Sequence, residues 1–337
     1  MALKLVSSKN ISEDLIKLLS NTELGTNGAR YVHLDTEVRI KEADNPWSFS
    51  LERNGRIIGN VTFCVREMGY YLRYFAFSTS FQSKSNRKVS RTTKKSSLEQ
   101  EIAQVFDRLI QEKPDRPFYA YIDLENDRSR LFSERFGFES YTSIVSRTYS
   151  RVNPKKDNNI IHISCWDSIS NIIRDSYSSD EFYYENQIKK GNYIGLNDNN
   201  GNLLAFAKFT KVHWRILSLP GRFGTVLVKV LPFLPVLNKL IRPKNHFFLV
   251  PDVVFSKNQS AEDIEKLFNG AMNLYKVNSL IWFIDPNKEV YRRIKKRMSW
   301  GILDKILGEK KVAVVTRNQS GLYSSKKPIF VSAFDLI

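Results

Sequence analysis

Residues 121–138 read YIDLENDRSRLFSERFGF, which sets Tyr121 and Asp123 on a strand, Asn126 at its end, and Ser133 inside a short basic helix closed by Gly137 and Phe138. A phenol or a carboxylate at a strand end can supply or accept a proton, whereas a serine hydroxyl is a far weaker acid. A second stretch, SKSNRKVSRTTKKSS at 83–97, carries Lys84, Arg87, Lys88, Arg91, Lys94 and Lys95 with serines and threonines between them. It runs into an expected helix at Ser97, where unpaired N–H groups and the helix dipole favour an anion. Both stretches also have a plain structural use. Asn126 can simply cap the helix that comes after it, and a basic run can be a solvated loop.

The rest of the composition narrows the chemistry. A net charge of +17, from 52 Lys and Arg against 35 Asp and Glu, draws anions such as nucleic acid, acidic lipid or a phosphorylated ligand without choosing among them. Cys64 and Cys165 lack metal-site spacing and are too few for a disulfide framework. His33, His162, His213 and His246 are scattered singly, which gives no zinc pattern and no histidine-based triad, so no metal is expected. The opening MALKLVSSKN has no apolar run of signal-peptide length, so the expected location is the cytoplasm.

The elements that must position these residues can be read from periodicity. With 337 residues, 42% of them apolar, two domains are expected. A helix over 12–24 opens behind Ser12. Two strands flank Asn54-Gly55, the dipeptide of a tight hairpin, and YYLRYFAFSTSF makes a third. Leu98, Ile102, Val105, Phe106 and Leu109 mark a helix that Ser97 and Gln100 open as a capping box. A strand at 118–125, the helix after Asn126 and a strand at 140–152 complete the first half, and NPKKDNN at 153–159 reads as a linker. The second half repeats the order through strands around Asn200-Gly201, a helix after Ser260, the strand SLIWFIDPN, a helix at 288–298 and a strand at 310–318. Ser97 precedes strand-end Asn126 by 29 positions and Ser260 precedes Asn287 by 27, so the plan is duplicated.

This order resembles the GNAT acyltransferase fold, and residues 126–138 resemble that family's N-x-x-A-x-x-L-Y-x-K-x-G-F. Asn126 matches, Ser129 stands at the small position, Phe132 at the apolar one, Ser133 at the tyrosine, Arg135 at the basic one, and Gly137-Phe138 close it. The resemblance implies an α/β fold of two tandem GNAT-like domains, each a mixed, mostly antiparallel sheet flanked by helices, over 1–152 and 160–337. It implies acetyl or acyl coenzyme A as co-substrate, with the thioester beside Phe75, Ala76 and Phe77 on the third meander strand. The phosphates would lie on residues 81–97, held by Arg87, Lys88, Lys94, Lys95, Ser96 and Ser97, with Asn126 nearby. Glu67 would be the base for an incoming amine, Tyr121, Asp123 or Ser133 would supply the proton, and Tyr70, Tyr71 and Tyr74 could line the acceptor cleft. The phosphate loops depart from the family in having no glycine.

The expected function is thus direct transfer of an acyl group from coenzyme A to an amine of a small molecule or peptide. Two alternatives stay open at this point: a binding or scaffold module of the same fold without activity, and a protein that binds nucleic acid or another anionic surface. The basic loop lacks the aromatic residues of single-strand binders, which speaks against nucleic acid. One further segment, about 218–245, is surplus to the repeat and rich in Leu, Val and Phe. Its prolines and cations argue against a membrane span. It is expected to pack over the second domain or between the domains and close a pocket, or else, through 222–244, to lie on an anionic membrane.

Overall fold

The computed structural model describes residues 3–25, 29–77, 97–318 and 327–336. In chain order its strands are β1 (Lys4–Ser8), β2 (Arg30–His33), β3 (Pro46–Arg53), β4 (Arg56–Arg66), β5 (Gly69–Phe77), β6 (Phe118–Asp123), β7 (Glu139–Ser150), β8 (Ile160–Ile163), β9 (Asn192–Asn197), β10 (Leu203–Ser218), β11 (His246–Ser256), β12 (Ser279–Ile284) and β13 (Lys310–Arg317). The chain divides into two compact units that are not consecutive in sequence. The first comprises 1–142, 217–224 and 313–325; the second comprises 143–216, 225–312 and 326–337.

In the first unit the strand order is β1-β3-β4-β5-β6, then the part of β13 from Ala313. Asn54 (φ 54°) and Gly55 (φ 71°) make the β3–β4 turn, as their positive-φ preference demands. The helix Ser97–Glu112 buries Ile102, Phe106 and Leu109 against Phe49, Val61 and Phe63. Its Phe106 ring meets Phe63 at 5.3 Å and Phe118 at 4.8 Å, edge to face. After β6, Asn126 caps the helix Asp127–Arg135. That helix stops because Gly137 takes a left-handed conformation (φ 76°) and the Phe138 N–H returns to the Ser133 carbonyl at 3.0 Å.

The second unit runs β7-β12-β11-β10-β9-β8, with β7 counted from Ser143. Its helix Ala261–Tyr275, capped by Ser260, buries Ile264, Leu267, Phe268 and Met272 against Leu249, Leu280 and Trp282. It is the counterpart of Ser97–Glu112. The helix Asp167–Tyr177 is followed by a short helix, Glu185–Lys189. Strands β1 and β2 and the helices Thr36–Lys41 and Ile302–Leu307 were not legible, being too short to carry a period.

The surplus segment forms the helix Gly224–Val230, one tighter turn at Leu231–Phe233 and the helix Pro235–Leu240. Within the second unit it occupies the place of the β4–β5 turn in the first. Leu231, Leu240 and Ile241 are buried, whereas most of its other apolar side chains face outward. Among the described residues no helix is long and apolar enough to cross a membrane, and no group of His, Cys, Asp and Glu could hold a metal ion.

Candidate functional site

Strand β5 pairs with β4 along its whole length, from Gly69 to Phe77. With β6 it pairs in parallel through only Tyr70–Phe118 and Tyr71–Tyr119. Beyond those residues the two strands part into a V. Its closed end is pinned by the Tyr70–Phe118 stack (4.7 Å) and by Arg66, whose guanidinium donates to the Tyr119 hydroxyl at 2.6 Å. A bulge lies just past the last pair: Thr62 faces Tyr74 and Phe63 faces Leu72, which leaves Arg73 as the extra residue. A bulge bends its strand and increases its twist, a local cause for the divergence. Past it, the backbone groups of β5 that point away from β4 meet no strand among the described residues.

Polar side chains lie along β5, at the end of β6 and on β2. Arg73 lies 4.8 Å over the Tyr74 ring. Tyr31 and His33 on β2 stand 5.4 Å apart, ring to ring. Burial, with the positive charges of Arg73 and Arg39 adding, pushes His33 down to about 3, so its imidazole is neutral at physiological pH. Burial, aided by the charge of Asp123, pushes the Tyr31 phenol up to about 12. Asp123 is exposed at the end of β6, and one of its oxygens accepts from the Glu125 N–H at 2.9 Å. On the same sheet Ser48, Ser50, Asn60 and Thr62 form a buried hydrogen-bonded ladder, from which Asn60 also donates to the Tyr74 carbonyl at 3.3 Å. Sequence reasoning missed His33, Tyr31, Arg73 and this ladder. Only the polar alternation of β3 with β4 could have signalled it.

The nominated residues fall in different places. Tyr121 is half-buried, its ring 5.9 Å from Tyr71. Phe75 packs on Phe132 at 4.2 Å, and Ala76 is buried against Leu15, Leu19 and Ile40. Phe77 pairs with Gly59 through its backbone. Asn126 accepts from the Ser129 N–H at 3.1 Å, a helix cap. Ser133 donates to the Arg130 carbonyl at 2.8 Å within its own helix, so its proton is already engaged. Glu67 is exposed in the β4–β5 turn at the closed end, and β5 carries the chain away from it for about 3.3 Å per residue toward the open end. Arg87, Lys88, Lys94, Lys95 and Ser96 lie outside the described residues, and Ser97 is the first residue of its helix. The one acid in that helix's first turn, Glu99, is paired with Arg135 at 2.9 Å.

The second unit repeats the device. β11 and β12 pair in parallel only at Leu249–Leu280 and then part. Phe206 faces Phe255 and Lys208 faces Asp252, so β11 has its own bulge at Val253 and Val254. Val253 adopts φ 52°, a conformation that costs a β-branched residue about 1–3 kcal/mol. Two bulged third strands, each splaying from the next strand and each followed by a long helix, make the duplication one of geometry. No protein-family model and no curated protein matches the sequence. Among solved structures, a tandem GNAT protein from the clavulanic acid biosynthesis pathway is 10% identical, with a TM-score of 0.53 over 96% of this chain and 100% of that one. N-myristoyltransferase of Saccharomyces cerevisiae with bound myristoyl-CoA is 9% identical, with a TM-score of 0.57 over 96% and 84%. The chain has a tandem GNAT-like fold.

The two V-shaped gaps of this tandem GNAT-like fold differ in content. In the second, the chain's own segment Pro328–Ala333 enters. The Ile329 N–H donates to Asp285 at 2.8 Å and the Ala333 N–H to Asp252 at 2.9 Å. Phe330 is buried there at 5.5 Å from both Tyr177 and Tyr183, and a residual cavity of about 20 Å³ is left. That is space for about one water. The strand-end turn also corrects the expected alignment. Asp285 accepts from the Asn287 N–H and Lys288 comes next as the first flank of its helix, just as Asp123 accepts from Glu125 and Asn126 comes next. Lys288, rather than Asn287, is therefore the counterpart of Asn126, and it pairs with Asp180 instead of capping.

Proposed function

We propose that the first unit binds acetyl or acyl coenzyme A in the β5–β6 gap and passes the acyl group directly to an amine of a small molecule or peptide. The observation that supports this is the contrast between the gaps: the second is filled by residues 328–333, whereas among the described residues no strand pairs with β5 past Tyr71 on its β6 side. The residues there fit such a cofactor. The outward-pointing amides of β5 past Tyr71 suit an amide-bearing arm, flanked by Phe75, Ala76 and Phe77. The helix beginning at Ser97 offers its N-terminus to phosphates, and its Glu99 is neutralised by Arg135. Arg87, Lys88, Lys94 and Lys95 would supply the positive charge, and Ser96 and Ser97 hydroxyl donors.

When bound, the thioester contributes an acyl group activated toward a nucleophilic amine. The chain contributes the rest. Asp123 is the carboxylate at the mouth and the best placed to take the proton an amine loses. Neutral His33 and protonated Tyr31 would not titrate there at physiological pH. Tyr121 is the remaining proton donor, since Ser133 spends its hydroxyl on the backbone. A purely binding role for the same gap is the second reading, favoured by that engaged serine.

Calorimetric titration of acetyl coenzyme A into the wild type and into Lys94→Ala/Lys95→Ala tests both. Micromolar binding that the variant weakens supports the cofactor site, and an amine screen on Asp123→Asn then separates transfer from binding alone. No binding up to millimolar concentration removes the acyltransferase reading.

A further inference from the structure

The surplus segment between β10 and β11 exposes apolar surface in an unusual concentration. Phe233 is 81% exposed and Val226 56%, and Leu227, Val230, Leu234 and Val236 are each at least 40% exposed. In the helix Gly224–Val230, Val226 and Leu227 stand four and three residues before Val230, which puts the three on one face. Leu231, Leu240 and Ile241 are buried and hold the segment down, so the outward apolar face is a presented surface rather than a frayed one. Six large side chains exposed within eleven residues form a patch of the kind that marks an interaction site. In the first unit the same connection is a two-residue turn, Glu67-Met68, so the fold itself does not need the segment.

Charge decides what could cover it. From residue 199 to residue 251 there is no Asp or Glu at all, while Lys229, Lys239, Arg242 and Lys244 interleave with or flank the apolar residues, and all four are exposed. A second copy of the chain, meeting this face with its own, would bring like charges together. An apolar stripe edged by cations matches a bilayer of acidic lipid, whose headgroups take the cations while the acyl boundary takes Phe233 and its neighbours. We propose that the segment 225–244 docks the protein on the surface of an anionic membrane, without crossing it. This inference is independent of the acyl-transfer reading.

The test is flotation of the whole protein with vesicles of phosphatidylcholine alone and of phosphatidylcholine mixed with phosphatidylglycerol, beside light scattering without lipid. Flotation with the acidic vesicles only, weakening as salt rises, is the expected result. Phe233→Ser/Leu234→Ser should lower partition by about tenfold through lost apolar burial, and Lys229→Glu or Lys239→Glu by about fivefold each. These side chains are exposed, so an unchanged melting temperature verifies that the variants fold. No flotation with acidic vesicles overturns the proposal, as does equal flotation of wild type and Phe233→Ser/Leu234→Ser, which would put the contact elsewhere on a basic surface. A dimer that the apolar variant breaks, with no lipid binding, would assign the face to a second copy and overturn it as well.

Discussion

Two copies of one device sit in this chain, and their surroundings differ. In each unit a bulge on the third meander strand turns that strand away from its parallel neighbour, at Arg73 in the first and at Val253–Val254 in the second. In each, an aspartate at or just past the end of the neighbouring strand accepts from a backbone N–H two residues on. The side chains around the two gaps are unlike. The second gap is lined by buried charge, with Asp252 3.6 Å from Lys208, and is closed by the chain's own Phe330. The first has its aspartate exposed and its neutral histidine and high-pKa tyrosine on β2. The backbone of such a fold opens a gap by geometry alone; side chains and tail decide whether the gap becomes core or site.

The largest test of that contrast removes the plug. Phe330→Ala strips a buried aromatic ring from the second gap and should lower unfolding free energy by about 3–5 kcal/mol, read by denaturant titration. A loss below about 1 kcal/mol would mean the tail is not core. The same substitution should leave affinity for acetyl coenzyme A unchanged, because the proposed cofactor site lies in the other unit.

Next in size is a pair of matched substitutions. Asp123→Asn should cut amine acylation by about a hundredfold or more with stability altered by under about 1 kcal/mol, since this carboxylate is exposed and makes one local bond. Asp285→Asn should leave the rate alone and cost stability instead, because its two oxygens accept from Asn287 and Ile329. If both variants act on stability only, the first gap is structural like the second.

Acid sharpens the comparison in a third way. His33 in the first unit is pushed down to about 3, and His246 in the second to about 4, both chiefly by burial. A histidine depressed in the fold contributes stability above its unfolded pKa and loses it as pH falls toward the folded one, here from about 6.5 down to about 3–4. Near pH 5 each should cost about 2 kcal/mol. His33→Gln and His246→Gln should each flatten part of the stability profile over that window, and an unchanged slope in either would show the residue to be solvated.

Much of the fold was legible because its signals are local and strong. Asn54-Gly55 takes positive φ at both positions, Ser12 and Ser260 cap the helices they precede, and Gly137 stops its helix in a left-handed turn. The site was legible only in part. Asn126, Tyr121 and Asp123 sit on elements that periodicity identifies, whereas Tyr31 and His33 lie on a four-residue strand that no period can announce. Arg73 matters through a bulge, and a bulge depends on register between two strands, which spacing along one chain does not encode. The filling of the second gap by residues 328–333 is likewise a contact over long sequence distance. Glu67 illustrates the converse: its residue type suits a base, but its turn lies at the paired end of β5.

The smallest expected effect bears on Asn126, the residue between β6 and its helix. Its side chain caps the helix Asp127–Arg135 by accepting from Ser129, and losing such a cap costs about 1 kcal/mol. In the second unit Lys288 holds the same position without capping, and its ammonium goes to Asp180, so the fold itself tolerates an uncapped helix there. Asn126→Ala should therefore lower stability by about 1 kcal/mol, and Asn126→Asp or Asn126→Ser should restore most of it. If capping is the whole role, coenzyme A affinity in Asn126→Ser matches the wild type. If the amide nitrogen also reaches the ligand, Asn126→Ser stays as stable as the wild type yet binds several-fold more weakly. Denaturation and calorimetry on that one variant thus separate a structural asparagine from a ligand-binding one, a distinction that the second unit, with lysine in its place, makes worth drawing.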